Sequence, residues 1–249
     1  MDIWAACRDA AKPVHLEGEL VRVVESQEQI ATNRLVDNLD EQNLLEEMLD
    51  SSKPPVPPGT EKLHYLLSTP FRYPPLRHGS RFGTRDERSI FYGSATLNAA
   101  LAETAYYRFV FWYGMVTPPP AGKITSEHTI FGATFSTDNG LCLHKDPFLP
   151  FKASLVNPGS YAETQLLGSA IREAGFEAME YQSARDPEEG INIALFRPGA
   201  FVSKEPDWQK YLLCEIRSQY VSFYNKEYGT RVFPYEIFLV EGDFPLPSI

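Results

Sequence analysis

Cysteine is scarce in this chain: three residues, Cys7, Cys142 and Cys214, among 249. An odd number, widely spaced and without a CxxC pair, gives no disulfide framework and fits a reducing compartment. The five histidines, His15, His64, His78, His128 and His144, are scattered and form no HExxH motif, so no resident metal is expected. No GxGxxG follows a strand-like run and no GxxxxGK[ST] occurs. That excludes a Rossmann dehydrogenase and a P-loop enzyme, although it leaves NAD open as a ligand. A GxSxG nucleophile elbow is absent too. Basic charge is in deficit: 23 Lys and Arg against 33 Asp and Glu give a net charge of −10. A non-specific nucleic-acid binder needs surplus cations to displace phosphate counterions, so direct nucleic-acid binding is not expected. No apolar run is long enough to span a bilayer, and no basic-then-apolar leader is read at the start. The expectation is a cytoplasmic protein without a membrane partner.

What is present describes an ordinary globular chain, 43% hydrophobic and 22% charged. Lys53-Pro-Pro-Val-Pro-Pro-Gly59 holds four prolines, which remove donors and fix φ, so it reads as an extended linker. The chain is accordingly divided into an N-terminal helical extension with this linker, 1–57, and a larger domain, 58–249. Within the first part, His15 to Leu49 reads as helical from apolar residues at three- and four-residue steps. The acidic group Asp40, Glu41, Glu46 and Glu47 reads as the solvated face of a helix, or as a surface that attracts a basic partner. Beyond the linker, strands are read at Leu63–Leu67, Ser89–Tyr92, Ile130–Phe135, Glu177–Tyr181, Ile191–Phe196 and Phe233–Val240. A helix capped by Thr96 runs to about Trp112, and a second spans Tyr161–Ala174 before Gly175. Irregular interleaving of strands and helices favours α+β over a doubly wound sheet.

The candidate site residues lie at even intervals. Arg81 follows Gly79-Ser80, Tyr92 ends an apolar run 11 residues later, and Glu103 lies a further 11 on, inside Leu97-Asn-Ala-Ala-Leu-Ala-Glu. Arg81 reads either as a surface arginine in a charged loop or as a planar guanidinium fork for phosphate. Glu103 reads as a solvent-facing carboxylate, or as a buried one aimed at a ligand, since a carboxylate among Ala and Leu is costly to bury without a partner. Tyr92 and Ser183 alone say little: a strand tyrosine with a bonded hydroxyl, and a turn residue before Pro187. Cation, aromatic plane, carboxylate and hydroxyl together are nonetheless the parts needed to hold a pyrophosphate, stack a nicotinamide ring and stabilise a ribosyl oxocarbenium ion.

These motifs resemble the RES domain, a family of toxins from bacterial toxin–antitoxin pairs, over roughly residues 60 to 245. Ser80-Arg81-Phe82, Ile90-Phe91-Tyr92 and Ala100-Leu101-Ala102-Glu103 match its pattern of Arg, Tyr and Ala-Leu-Ala-Glu. Tyr181-Gln-Ser183-Ala-Arg185 matches its serine, and Gly190-Ile-Asn192 its glycine–asparagine continuation. Two departures stand out: Phe82 replaces the more usual Trp, and the loop to Tyr92 is about one residue longer. The resemblance implies a split mixed sheet with flanking helices, similar to the ADP-ribosyltransferase core. It also implies cleavage of the nicotinamide–ribose bond of NAD, with NAD as substrate rather than cofactor and inorganic phosphate as an optional co-substrate. Glu103, Arg81 and Tyr92 would be catalytic, while Arg81, Tyr92, Ser183, Ser94 and Asn192 would bind the dinucleotide. Transfer of ADP-ribose to a protein is an alternative outcome, and an inactive assembly module a further one. The implied partner is a cognate Xre-type antitoxin, with a homodimer inside a hetero-oligomer as the expected assembly.

Overall fold

Alternation, rather than helical spacing, governs the start of the chain. The computed structural model describes residues 2–26 and 35–247 and forms an α+β fold around one eight-stranded mixed sheet. Its strands are β1 (Val14–Glu25), β2 (Phe91–Ser94), β3 (Ile124–Cys142), β4 (Ala178–Gln182), β5 (Ile191–Leu195), β6 (Trp208–Ile216), β7 (Tyr220–Asn225) and β8 (Gly229–Pro234). The helices are α1 (Ile3–Cys7), α2 (Leu39–Ser52), α3 (Tyr65–Arg72), α4 (Leu97–Tyr113), α5 (Lys152–Leu155) and α6 (Ala162–Glu173).

The helical reading of His15 to Leu49 is therefore corrected for Val14–Glu25, which is a strand, and stands for Leu39–Ser52. Leu16 and Leu20 are buried while Glu17 and Glu19 between them are exposed, and three valines follow. This is period-two patterning ending in β-branched residues, which favour extended backbone. Residues 27–34 of that same reading lie outside the described residues. Leu63–Leu67 is likewise not a strand: His64 caps α3 by accepting from the Leu66 amide, and Leu67 and Phe71 are buried one turn apart. The run Phe233–Val240 breaks at Pro234, which has no N–H to continue a ladder, into a short 3-10 helix, Tyr235–Phe238. Strands β6 and β7 escaped the sequence reading.

The nineteen-residue β3 organises the sheet. One edge pairs antiparallel with β1, from Glu25 opposite His128 to Val14 opposite Gly140. Its other edge pairs with β6 over the first half and with β4, in parallel, at Gly140–Cys142. Between these two stretches, the amides of Val202 and Asp207 bond to Thr134 and Gly132. Strand β1 also pairs with β2, so β1, β2, β5, β4 and β3 close on themselves, and β6, β7 and β8 extend as a wing. This is the split sheet. Helix α4 packs Ala105, Tyr106, Phe109 and Trp112 against Leu212, Ile216, Val221 and Phe223 of the wing. Helix α6 packs Leu167 and Ile171 with Phe82, Met179 and Tyr181. The proline segment is extended but fastened: Arg72 Nε donates to the Pro54 carbonyl at 2.6 Å and Thr60 Oγ1 to that of Pro57 at 2.7 Å.

Candidate active site

Strand β2 and helix α4 are consecutive, and the cleft opens where one passes into the other. Thr96 caps α4 by accepting from the Ala99 amide at 3.2 Å. From that start, Ala99, Ala100, Leu101, Ala102, Ala105 and Tyr106 are all buried, so the helix is apolar on most sides. Glu103 is half-buried in this setting and lines a cleft of about 1300 Å³. A carboxylate so placed needs donors, and it has two. Ser183 Oγ donates to Oε1 at 2.6 Å and Asn192 Nδ2 donates to the same oxygen at 2.6 Å. Oε2 accepts no bond from the described residues. The carboxylate is thus tethered by one oxygen and offers the other.

Two strands supply the tethers. Asn192 on β5 stands opposite Ser94 on β2 and Tyr181 on β4. Its Oδ1 accepts from Ser94 Oγ at 2.6 Å, which fixes the amide so that Nδ2 faces Glu103. Ser183, just beyond β4, accepts from the amides of Arg185 and Asp186 at 3.1 and 3.0 Å, which turns its hydroxyl hydrogen toward Glu103. Ser183 is 3% exposed and does not line the cleft, so the structure places it behind the carboxylate. Ser94 and Asn192 do line it, though both are nearly buried.

Arg81 sits on a tight turn. Gly79 adopts φ +71°, and a Cβ there would lie 2.4 Å from the Gly83 carbonyl oxygen. On the far side, Gly168 of α6 lets that helix approach the Phe82 carbonyl so closely that a Cβ would lie 1.9 Å from it. The Arg81 guanidinium stacks over Tyr161 at 4.8 Å, and Nη1 donates to the carbonyls of Leu155 and Asn157. These bonds use Nη1 alone. Tyr92 lines the cleft, and its hydroxyl bonds Ser80 Oγ at 2.9 Å and accepts from the Phe82 amide at 3.3 Å. Tyr92 therefore pins the loop that carries Arg81. Burial pushes its phenol up to about 12, so it stays protonated at neutral pH.

Two arginines of the cleft lining, Arg72 and Arg22, escaped the sequence reading. Arg22 of β1 lines the cleft, donates through Nη1 to the Tyr92 carbonyl and lies over the Phe91 ring at 4.9 Å. Its Nε is buried without a hydrogen-bond partner. Burial lowers the guanidinium to about 10, which leaves it charged at neutral pH. The missed signal is the period of two, which puts Arg22 on the face of Leu16 and Leu20. The structure thus gathers Arg81, Tyr92, Ser94, Glu103 and Asn192 along one cleft, adds Arg22 and Arg72, and sets Ser183 behind them.

The sequence model of the RES domain matches residues 57–215. No curated protein matches the chain. Among solved structures, a chain from the crystal structure of the M. tuberculosis MbcT–MbcA toxin–antitoxin complex is similar at 9% identity and a TM-score of 0.49, over 85% of this chain and 92% of that one. With more than half its length matched by that sequence model, and the matched span holding the tethered carboxylate and the Arg81 turn, the chain belongs to the RES domain family.

Proposed function

We propose that the cleft takes NAD and that the chain cleaves its nicotinamide–ribose bond, as the toxin of a toxin–antitoxin pair. The carrying observation is the tethered carboxylate: Glu103 held through Oε1 by Ser183 and Asn192, with Oε2 unbonded, in a cleft that is also lined by Arg22, Arg72 and Arg81. In the reaction the bond between the anomeric carbon and the ring nitrogen breaks. Nicotinamide leaves neutral with the electron pair, and the ribose becomes oxocarbenium-like. A negative charge fixed beside that centre stabilises the transition state more than the substrate, whose charge lies on the departing ring. Glu103 Oε2 would accept a ribose hydroxyl and offset the charge. Arg22 and Arg81 would face the pyrophosphate, a task suited to planar donors. Tyr92 would lie against nicotinamide. Ser183 would set the carboxylate rather than touch the dinucleotide.

Water as acceptor gives ADP-ribose and a proton; phosphate gives a phosphorylated ADP-ribose. The family resemblance further supports an antitoxin that keeps the cleft inactive. The test is incubation of purified protein with NAD, with and without inorganic phosphate, followed by product identification. Free nicotinamide with ADP-ribose, or with its phosphorylated form when phosphate is present, is expected. Intact NAD under both conditions would overturn the reading.

A further inference from the structure

A second cluster of reactive side chains lies apart from the cleft, at the end of β3. Cys142 and Glu180 are register partners in the parallel β3–β4 pair, so their side chains leave the sheet on one side. His144 follows Cys142 by two residues, and the amide of Leu143 between them bonds to the Glu180 carbonyl at 2.8 Å. Leu143 is buried in the opposite direction, with Phe148 and Met179. Thiol, imidazole and carboxylate therefore converge, with one ligand atom from each within 4.8 Å of the others. Among the described residues it is the one group where three such donors meet.

We propose that Cys142, His144 and Glu180 bind a single borderline divalent cation, zinc in particular. Three features support this. The donor set mixes a soft sulfur, an imidazole and a carboxylate, the combination zinc accepts and magnesium or calcium do not. Cys142 Sγ lies 3.6 Å from Glu180 Oε2, close to the separation of about 3.5 Å between two ligands of one tetrahedral zinc. His144 Nδ1 is buried without a hydrogen-bond partner, an unmet acceptor or donor that a cation or its second-shell partner would engage. Coordination forms an Sγ–metal bond and releases the thiol proton to solvent; no oxidation or reduction occurs. The resulting thiolate and carboxylate carry two negative charges, which balance the two of the cation. A cavity of about 580 Å³, bordered by Cys142 and Glu180 together with His15, Glu17 and Asp146, gives entry and room for water in the fourth position. It shares no lining residue with the NAD cleft, so the two proposals stand or fall separately. The proposal runs against the expectation of no resident metal, which weighed only motif spacings and not the pairing of β3 with β4.

The test is titration of the metal-stripped full-length chain with Co²⁺, read by its thiolate-to-cobalt absorption, followed by displacement with Zn²⁺. One equivalent with a thiolate band is expected, bleached by one equivalent of Zn²⁺. Cys142→Ser should abolish the band, whereas Cys7→Ser and Cys214→Ser should keep it. Glu180→Gln and His144→Gln should each weaken cobalt affinity about tenfold or more. No thiolate band in the wild type, or a band that survives Cys142→Ser, overturns the proposal. Should Cys142→Ser fail to fold, unchanged affinity in both other variants overturns it equally.

Discussion

At the scale of single residues, the account rests on how Glu103 is held. Ser183 gives its hydrogen to Oε1 and takes two backbone amides in return, so it acts through the carboxylate. A hydrogen bond to a charged group contributes about 1.5–3 kcal/mol. Ser183→Ala should accordingly lower kcat for NAD about tenfold to a hundredfold with KM little changed, if the hydroxyl acts through the carboxylate as proposed. Steady-state kinetics on the folded variant checks this; an effect confined to KM would place Ser183 in contact with substrate instead. Arg22 and Arg81 offer a second test. Arg22→Lys and Arg81→Lys keep the charge and lose the fork, so each should weaken NAD more than nicotinamide riboside, which lacks the pyrophosphate. Binding measured for both ligands decides it, and equal weakening would remove the arginines from the phosphates.

At the scale of elements, legibility followed sequence distance. Helix α4 was readable because its cap, Thr96, and its apolar content are local; α6 and β5 were readable for the same reason. The carboxylate was visible as a candidate, but its two readings could not be separated without Asn192 and Ser183, which arrive from other strands. Strand β1 was misread because its partner, β3, lies far along the chain, and only the burial of Leu16 and Leu20, with exposed glutamates between them, distinguishes it from a helix. With β1 misread, Arg22 was missed. The wing carries its own electrostatic signature. Glu215 of β6 is held down to about 2 by hydrogen bonds from Lys123 and then Arg217, below its usual 4.5. A depressed carboxylate contributes stability above its unfolded value and loses it as pH falls toward the folded one. The group is partly solvent-exposed, so the contribution is small. Glu215→Gln should therefore show a slightly lower Tm than wild type near neutrality, with the gap closing as pH drops from about 4.5 toward 2. Thermal melts across that range test the sign; a gap that widens on acidification would contradict the ion-pair assignment.

At the scale of the whole molecule, an acidic chain with a net charge of −10 has a cleft lined by three arginines, Arg22, Arg72 and Arg81. Arg22, Arg72, Arg81 and Lys53 against Glu25 and Glu103 leave the cleft lining basic on an acidic chain, the local sign that the proposed anionic substrate requires. No helix among the described residues is long and apolar enough to cross a membrane. The closed part of the sheet brings the site together: Ser94 on β2, Asn192 on β5 and Ser183 just after β4 come from neighbouring strands, and α4 lays Glu103 against them. The central claim is that this carboxylate stabilises positive charge on the ribose of NAD. It is tested most directly by measuring nicotinamide release from NAD by the wild type and by Glu103→Gln, an isosteric change that removes the charge. The account predicts catalytic release by the wild type and a loss of about 10²–10³ in rate in a variant with an unchanged Tm. Equal rates from the two proteins, or no release by the wild type, would contradict it.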